Sequence, residues 1–304
     1  MVTSDQPTAT SAEGVRFGVL VLPNEPWADL SARWRRLDRS GVDSVWSCDH
    51  FAHATRPDSP WFEGWTGLAA LAAATEVVTV GLLVGAIVSR PPTMMAKQAI
   101  TVDHITGGRL EIGLGAGGAP DDQAMWGVDE WSPLERSERF AEYVELMDHL
   151  SREREVTFAG QWYSTTGALM NPGFVGGRRP RLTLAAHGRR TVDVVARFAD
   201  VWNTYGPTLE DAVRARDLLW ERCDRIGRDP AEIRLSVLLG IMAGTAWTSA
   251  AEFEDVVARW HAEGFREFVF YDPPYGRPGV PVARPSVMEA VLGSSVPLLR
   301  SSMK

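Results

Sequence analysis

Residues 181–206 read RLTLAAHGRRTVDVVARFADVWNTYG. Leu182, Thr183, Leu184 and Ala185 form a short apolar run of the kind a buried strand shows. The pattern breaks at Ala186, His187 and Gly188, and from Arg189 onward Val192, Val195, Phe198 and Ala199 recur at helical spacing. Asp200 to Asn203 then reads as a second strand. Strand, tight turn, helix and strand in so short a span is a βαβ unit, whose two strands must run parallel. A glycine opening a helix leaves backbone N–H groups and the positive end of the macrodipole facing outward, which suits a phosphate. Arg189 and Arg190 add formal charge there. The plain alternative, a tight βα turn with solvated arginines, is the commoner one for an arbitrary turn. The rest of the chain has to decide.

Working outward, apolar strands are expected at Val15–Leu22, Asp43–Ser47, Val77–Val84 and Arg109–Leu114 before this unit. Two more follow it, at Ile233–Leu239 and Phe265–Phe270. Continuous apolar runs, rather than alternation, indicate strands buried on both faces. Each strand is followed by a helical pattern. Examples are the alanine-rich Gly67–Thr75, the stretch opened by Pro91-Pro92 and closed by Gly107-Gly108, and the helix behind the capping box Ser249-x-x-Glu252. Eight such units fit an α/β chain folded as a (β/α)8 TIM barrel. Insertions come after strand four (a loop over Ala119–Pro133) and before strand five (Val156–Pro180, a hairpin plus irregular chain). A doubly wound sheet is the competing arrangement. In a barrel, chemistry belongs at the strand C-termini, where Asp49-His50, Gly85, Gly115–Gly118, His187-Gly188 and Trp202-Asn203 fall.

Composition sets the outer bounds. A net charge of −8 argues against a broad nucleic-acid or anionic-membrane surface. Cys48 and Cys223, the only cysteines, form no C-x-x-C pair, so neither a disulfide framework nor a cysteine-rich zinc site is expected. Residues 1–14 are small and polar, lack an apolar h-region, and read as a disordered tail before one domain over 15–304. The apolar stretch 66–89 splits at Glu76 into helix and strand rather than spanning a membrane. A soluble, cytoplasmic protein with a small-molecule substrate is expected.

Several motifs are set aside. Gly113-x-Gly115-x-x-Gly118 matches the dinucleotide fingerprint formally, but the acidic strand end that should follow is missing. Asp49-His50-x-x-His53 has no predicted element to converge its side chains, so no metal is expected. No G-x-S-x-G elbow exists. His104, His149 and His261 fall within helices. Trp61, Trp65, Trp126 and Trp131 fall in loops, where they are expected to line a pocket for a flat ligand.

The chain resembles the bacterial luciferase-like family of flavin- and deazaflavin-dependent oxidoreductases. The resemblance rests on residues 43–51 (DSVWSCDHF), 91–117 (PPTMMAKQAITVDHITGGRLEIGLGAG), 135–150 and 184–206, in family order. It implies a barrel, usually a homodimer, with an isoalloxazine-type ring at the strand C-termini. Ala185, Ala186, His187, Gly188, Arg189, Arg190 and Thr191 would hold the cofactor phosphate. Leu83 and Val84 match a bulge with a non-proline cis peptide against the ring. Gly115 and Gly117 would border the cofactor, and Trp202 and Asn203 would face the ring pocket. Asp49 and His50 match the Asp-His pair of the deazaflavin-using branch, where the histidine is a proton donor or ring contact. The flavin branch more often has Glu-His-His there. The implied function is therefore hydride transfer with coenzyme F420, with an FMN-dependent monooxygenase using reduced flavin and oxygen as the alternative. Arg178, Arg179, Arg181, Arg189 and Arg190 form a basic cluster suited to an acidic cofactor tail. One departure stands out: Gly118 occupies the place where some deazaflavin dehydrogenases carry a catalytic glutamate, which weighs against a sugar-phosphate dehydrogenase.

Overall fold

In the computed structural model the described residues are 14–53, 56, 58–117, 120–205, 208–240, 247–272 and 284–303. The expected tail before Gly14, Gly118, Gly206 and most of the loop between Tyr271 and Arg284 lie outside them. Eight strands run β1 Arg16–Leu20, β2 Ser44–Ser47, β3 Thr79–Leu82, β4 Leu110–Gly115, β5 Arg181–Ala185, β6 Val201–Thr204, β7 Arg234–Leu239 and β8 Glu267–Tyr271. Each pairs in parallel with the next, and β8 pairs with β1, Phe17 lying opposite Phe268. The sheet is therefore closed. A doubly wound sheet would end in two free edges, so the barrel is the fold.

Helices wrap the outside: α1 Trp27–Asp38, α2 Gly64–Ala72, α3 Pro92–Thr106, α4 Pro133–Arg152, α5 Arg189–Phe198, α6 Leu209–Ile226 and α7 Ala250–Ala262. A segment from Pro285 to Ser302, with a π-helical turn at Val291–Ser295, closes the ring. Alternate strand residues such as Val19, Val45, Val80, Leu184 and Phe268 pack under these helices in one continuous core. The intervening residues Leu20, Trp46, Leu238 and Val269 fill the barrel axis. Trp46 dictates its neighbours. A Cβ at Gly81 would lie 2.6 Å from its ring, and one at Gly18 would lie 3.1 Å from its indole nitrogen. Both strands need glycine there for the axis to hold an indole.

Local chemistry moves three expected boundaries. The Glu63 carboxylate accepts the N–H groups of Trp65 and Thr66, so α2 starts at Gly64 and carries Trp65 into the core. Pro120 with Asp121 and Asp122 opens a short helix, Pro120–Met125, inside the expected loop. Strand three stops at Leu82, and the chain turns through Leu83-Val84 before Gly85–Ala86 rejoins β4. The second insertion is an antiparallel hairpin, Glu155–Ala159 with Ser164–Leu169. Among the described residues no helix is long and apolar enough to cross a membrane.

Candidate active site at the C-terminal end of the barrel

The turn after β5 leaves the start of α5 open, a cradle of backbone N–H groups. Gly188 is extended (φ −92°, ψ 150°) and caps α5, the Thr191 hydroxyl accepting its N–H at 3.2 Å and donating to its carbonyl at 2.9 Å. A Cβ at Gly188 would meet only that hydroxyl, at 3.5 Å, so the approach to the helix start is open. The first N–H groups of α5 have no intrahelical acceptor. His187 packs edge-on against Tyr205 (4.2 Å between centroids) while part of it faces solvent. Desolvation on its packed side pushes the imidazole down to about 4. Since an unperturbed histidine is already largely neutral at pH 7, the cradle's charge rests on Arg189 and Arg190. Both are exposed, and among the described residues neither has an ion pair.

Trp202 corrects the sequence reading. It does not face the pocket: it is fully buried in the layer between barrel and helices, 6.2 Å from Phe265. From there its indole N–H donates to the Ala186 carbonyl at 2.9 Å, bracing the turn from behind. Strand alternation turns the next residue, Asn203, inward, where its amide donates to Ser236 Oγ at 2.9 Å. The basic cluster also divides. Arg179 pairs with Asp200 at 2.7 and 3.0 Å, and Arg181 leans toward Glu267 at the barrel floor. Only Arg189 and Arg190 lie at the end with the turn, because a whole strand separates the two groups.

At the end of β2, neighbouring residues part company. Asp49 is buried and turned away from His50. Its two oxygens face the Arg90 guanidinium, Nη1 on Oδ2 and Nη2 on Oδ1 at 3.0 Å, and Oδ2 also accepts from Ala86 N–H and Ser89 Oγ. Arg90 continues to Glu63 at 2.8 Å. Burial pushes the Asp49 carboxyl up and the guanidinium opposes it. The expected catalytic aspartate is thus a clasp tying the ends of β2 and β3 to α2. His50 leaves 57% of its side chain in solvent, with Nδ1 2.6 Å from Asp122 Oδ2. Asp122 Oδ1 accepts the Phe51 N–H at 3.0 Å, and Trp61 donates its indole N–H to the His50 carbonyl at 2.8 Å. Sequence reasoning missed Asp122, which carries no spacing signal toward His50. Of the tryptophans expected in the pocket, Trp61 and Trp126 reach this loop cluster, Trp126 lying edge-on to Phe51. Trp131 is buried beneath Arg139.

The wall between β3 and β4 completes the site. The Leu83-Val84 peptide is cis. Val84 lies over Gly115, where a Cβ would come within 2.4 Å of its Cγ2, and a Cβ at Gly113 would strike the Leu82 carbonyl at 2.1 Å. Gly117 has φ +66° beside Val88. Close backbone approach explains this glycine run without a dinucleotide. His50, Leu83, Val84, Gly115, Gly117 and the cradle from Ala185 to Thr191 therefore share one end of the barrel.

The C-terminal end of this parallel eightfold barrel thus presents an open helix start, two exposed arginines and a histidine held at one nitrogen. The chain belongs to the luciferase-like monooxygenase family, whose model matches residues 1–279. Membership of this oxidoreductase and monooxygenase family supports an enzyme. Over 212 residues the chain is 31% identical to an F420-dependent glucose-6-phosphate dehydrogenase of Segniliparus rotundus, covering 64% of this chain and 59% of the relative. Over 169 residues it is 28% identical to a 4-hydroxyprotoasukamycin monooxygenase of Streptomyces nodosus subsp. asukaensis, covering 50% and 42%. The chain thus spans about half the length of these two relatives. The barrel superposes on the coenzyme F420-dependent tetrahydromethanopterin reductase of Methanopyrus kandleri with a TM-score of 0.76, covering 94% of this chain and 99% of that one at 15% identity. At that identity the likeness is one of fold.

Proposed function

We propose that the protein is an oxidoreductase using coenzyme F420, the 8-hydroxy-5-deazaflavin, and that it moves a hydride between that cofactor and a small organic substrate. The observation that carries this reading is the pairing, at one barrel end, of an open phosphate cradle with a histidine held at one nitrogen. The donor set suits the group: helix-start N–H groups and two exposed arginines, neither in an ion pair among the described residues, match a phosphate. When bound, the deazaflavin would supply two-electron hydride chemistry at its ring carbon C5. Arg189, Arg190 and the start of α5 bind and orient the phosphate. Val84 and the glycine turn after β4 form a wall against which a flat ring packs. His50 holds or moves the proton that accompanies the hydride.

A second reading, an FMN-dependent monooxygenase, is supported by the 28% identical monooxygenase relative. Titrating purified protein with F420 and with FMN separates the two. The expected result is tight F420 binding and substrate-dependent change of its absorbance without oxygen uptake. Tight binding of FMN alone, with oxygen consumed when the flavin is reduced, overturns the proposal.

A further inference from the structure

We propose that Asp122, 72 residues from His50 in the chain, is the positioning residue of the proton relay, fixing the Nδ1–H tautomer so that Nε2 is the nitrogen that exchanges a proton with substrate. The inference rests on the reading of His50 as the group that handles the proton. An ionised carboxylate only accepts hydrogen bonds, so a contact of 2.6 Å to Nδ1 requires the proton on Nδ1. In the neutral ring this leaves the lone pair on Nε2. Among the described residues Nε2 has no protein partner, and the imidazole is more than half exposed.

The carboxylate is itself fixed. Its second oxygen holds the Phe51 N–H at 3.0 Å, and its side chain is 10% exposed. The Trp61 indole grips the His50 carbonyl from the other side. Asp49 cannot share the task, because Arg90, Ala86 and Ser89 take its oxygens. The chemistry balances in both directions. When a carbinol is oxidised, its C–H leaves as hydride to the cofactor and its O–H proton passes to Nε2, the imidazolium then resting against the Asp122 carboxylate. When a carbonyl is reduced, the same nitrogen returns the proton. No carboxylate at position 118 is needed for this step.

The test reads the tautomer directly. Long-range 1H–15N correlation spectra of protein labelled with 15N-histidine are recorded at alkaline pH without cofactor or substrate, with His50→Gln assigning its signals. The expected result is a bare Nε2 and a protonated Nδ1. Asp122→Asn keeps an oxygen for the Phe51 N–H but turns an NH2 toward Nδ1. It should move the proton to Nε2 and lower kcat about 10²–10⁴-fold with KM within about 3-fold. A wild-type ring protonated at Nε2, or a variant with unchanged tautomer and kcat within about 3-fold, overturns the proposal. Because the spectra need no cofactor, a wrong cofactor assignment would leave the tautomer result standing and so be told apart.

Discussion

At the N-terminal end of β5, Arg179 meets Asp200 at 2.7 and 3.0 Å, and Arg181 leans toward Glu267 at 3.9 Å. At the C-terminal end, Arg189 and Arg190 stand in solvent without an ion pair among the described residues. The barrel floor carries the same logic further. Glu111 and Glu267 are both buried, Arg16 reaches Glu267 at 3.5 Å, and Thr183 donates to Glu111 at 2.5 Å. Along β5, the floor pairs its arginines, whereas the C-terminal turn leaves two exposed. That division follows from what each end does: the floor is a packed core, whereas the strand C-termini are where barrel enzymes meet ligands.

The largest effects should separate chemistry from architecture at the open end itself. Replacing His50 with Ala should lower turnover about 10²–10⁴-fold. The melting temperature should stay within about 2 °C, because an exposed side chain contributes little packing. Steady-state kinetics with thermal melts checks both halves. Arg90→Ala should do the reverse. It strands the Asp49 carboxylate, 3% exposed, without its counter-ion, a change that costs about 3–5 kcal/mol when a buried pair is broken. Urea denaturation measures it. If Arg90→Ala spared stability and abolished turnover, Asp49 would belong to the catalytic apparatus after all.

How much of this was legible in the sequence follows from which forces are local. Strands buried on both faces announce themselves as apolar runs, so the eight βα units and the turn at His187-Gly188 could be read directly. Leu83 and Val84 are as apolar as the strand before them, so hydropathy could not show that β3 ends at Leu82. Trp202 and Asn203 exchange faces by a single step of alternation, which only the sheet register settles. Asp122 was invisible for a topological reason. It meets His50 because β2 and β4 both pair with β3, a neighbourhood created by strand pairing rather than by chain spacing.

The floor offers a test of its neutralised state. Burial and the neighbouring Glu267 push the Glu111 carboxyl up to about 7, well above an unfolded glutamate near 4.3. Between those two values the folded chain keeps a proton that the unfolded chain has lost. Stability therefore falls as pH rises through that window and levels off above it. Glu111→Gln should abolish this contribution and leave the protein roughly 1–3 kcal/mol more stable than wild type at pH 8, with little difference at pH 4.5. Paired urea midpoints at the two pH values isolate the residue from the other carboxylates. A loss of stability at pH 8 would mean that Arg16 and Arg181 need both carboxylates ionised.

The smallest effect bears most directly on the contrast along β5. Arg189→Ala and Arg190→Ala should each weaken binding of a phosphate-bearing cofactor by about 5-fold, the scale of one exposed charge at a helix start. The loss should shrink in high salt, because exposed charges are screened within roughly 10 Å at 0.1 M ionic strength. Arg179→Ala, removed from the closed end of the same strand, should leave binding unchanged, since its guanidinium is already committed to Asp200. Calorimetric titrations of the three variants at low and high salt make the comparison. Equal losses for Arg179 and Arg189 would show that the field of the whole basic cluster holds the cofactor. Losses confined to Arg189 and Arg190 would place that role in the turn, where the first N–H groups of α5 lie beside two exposed arginines.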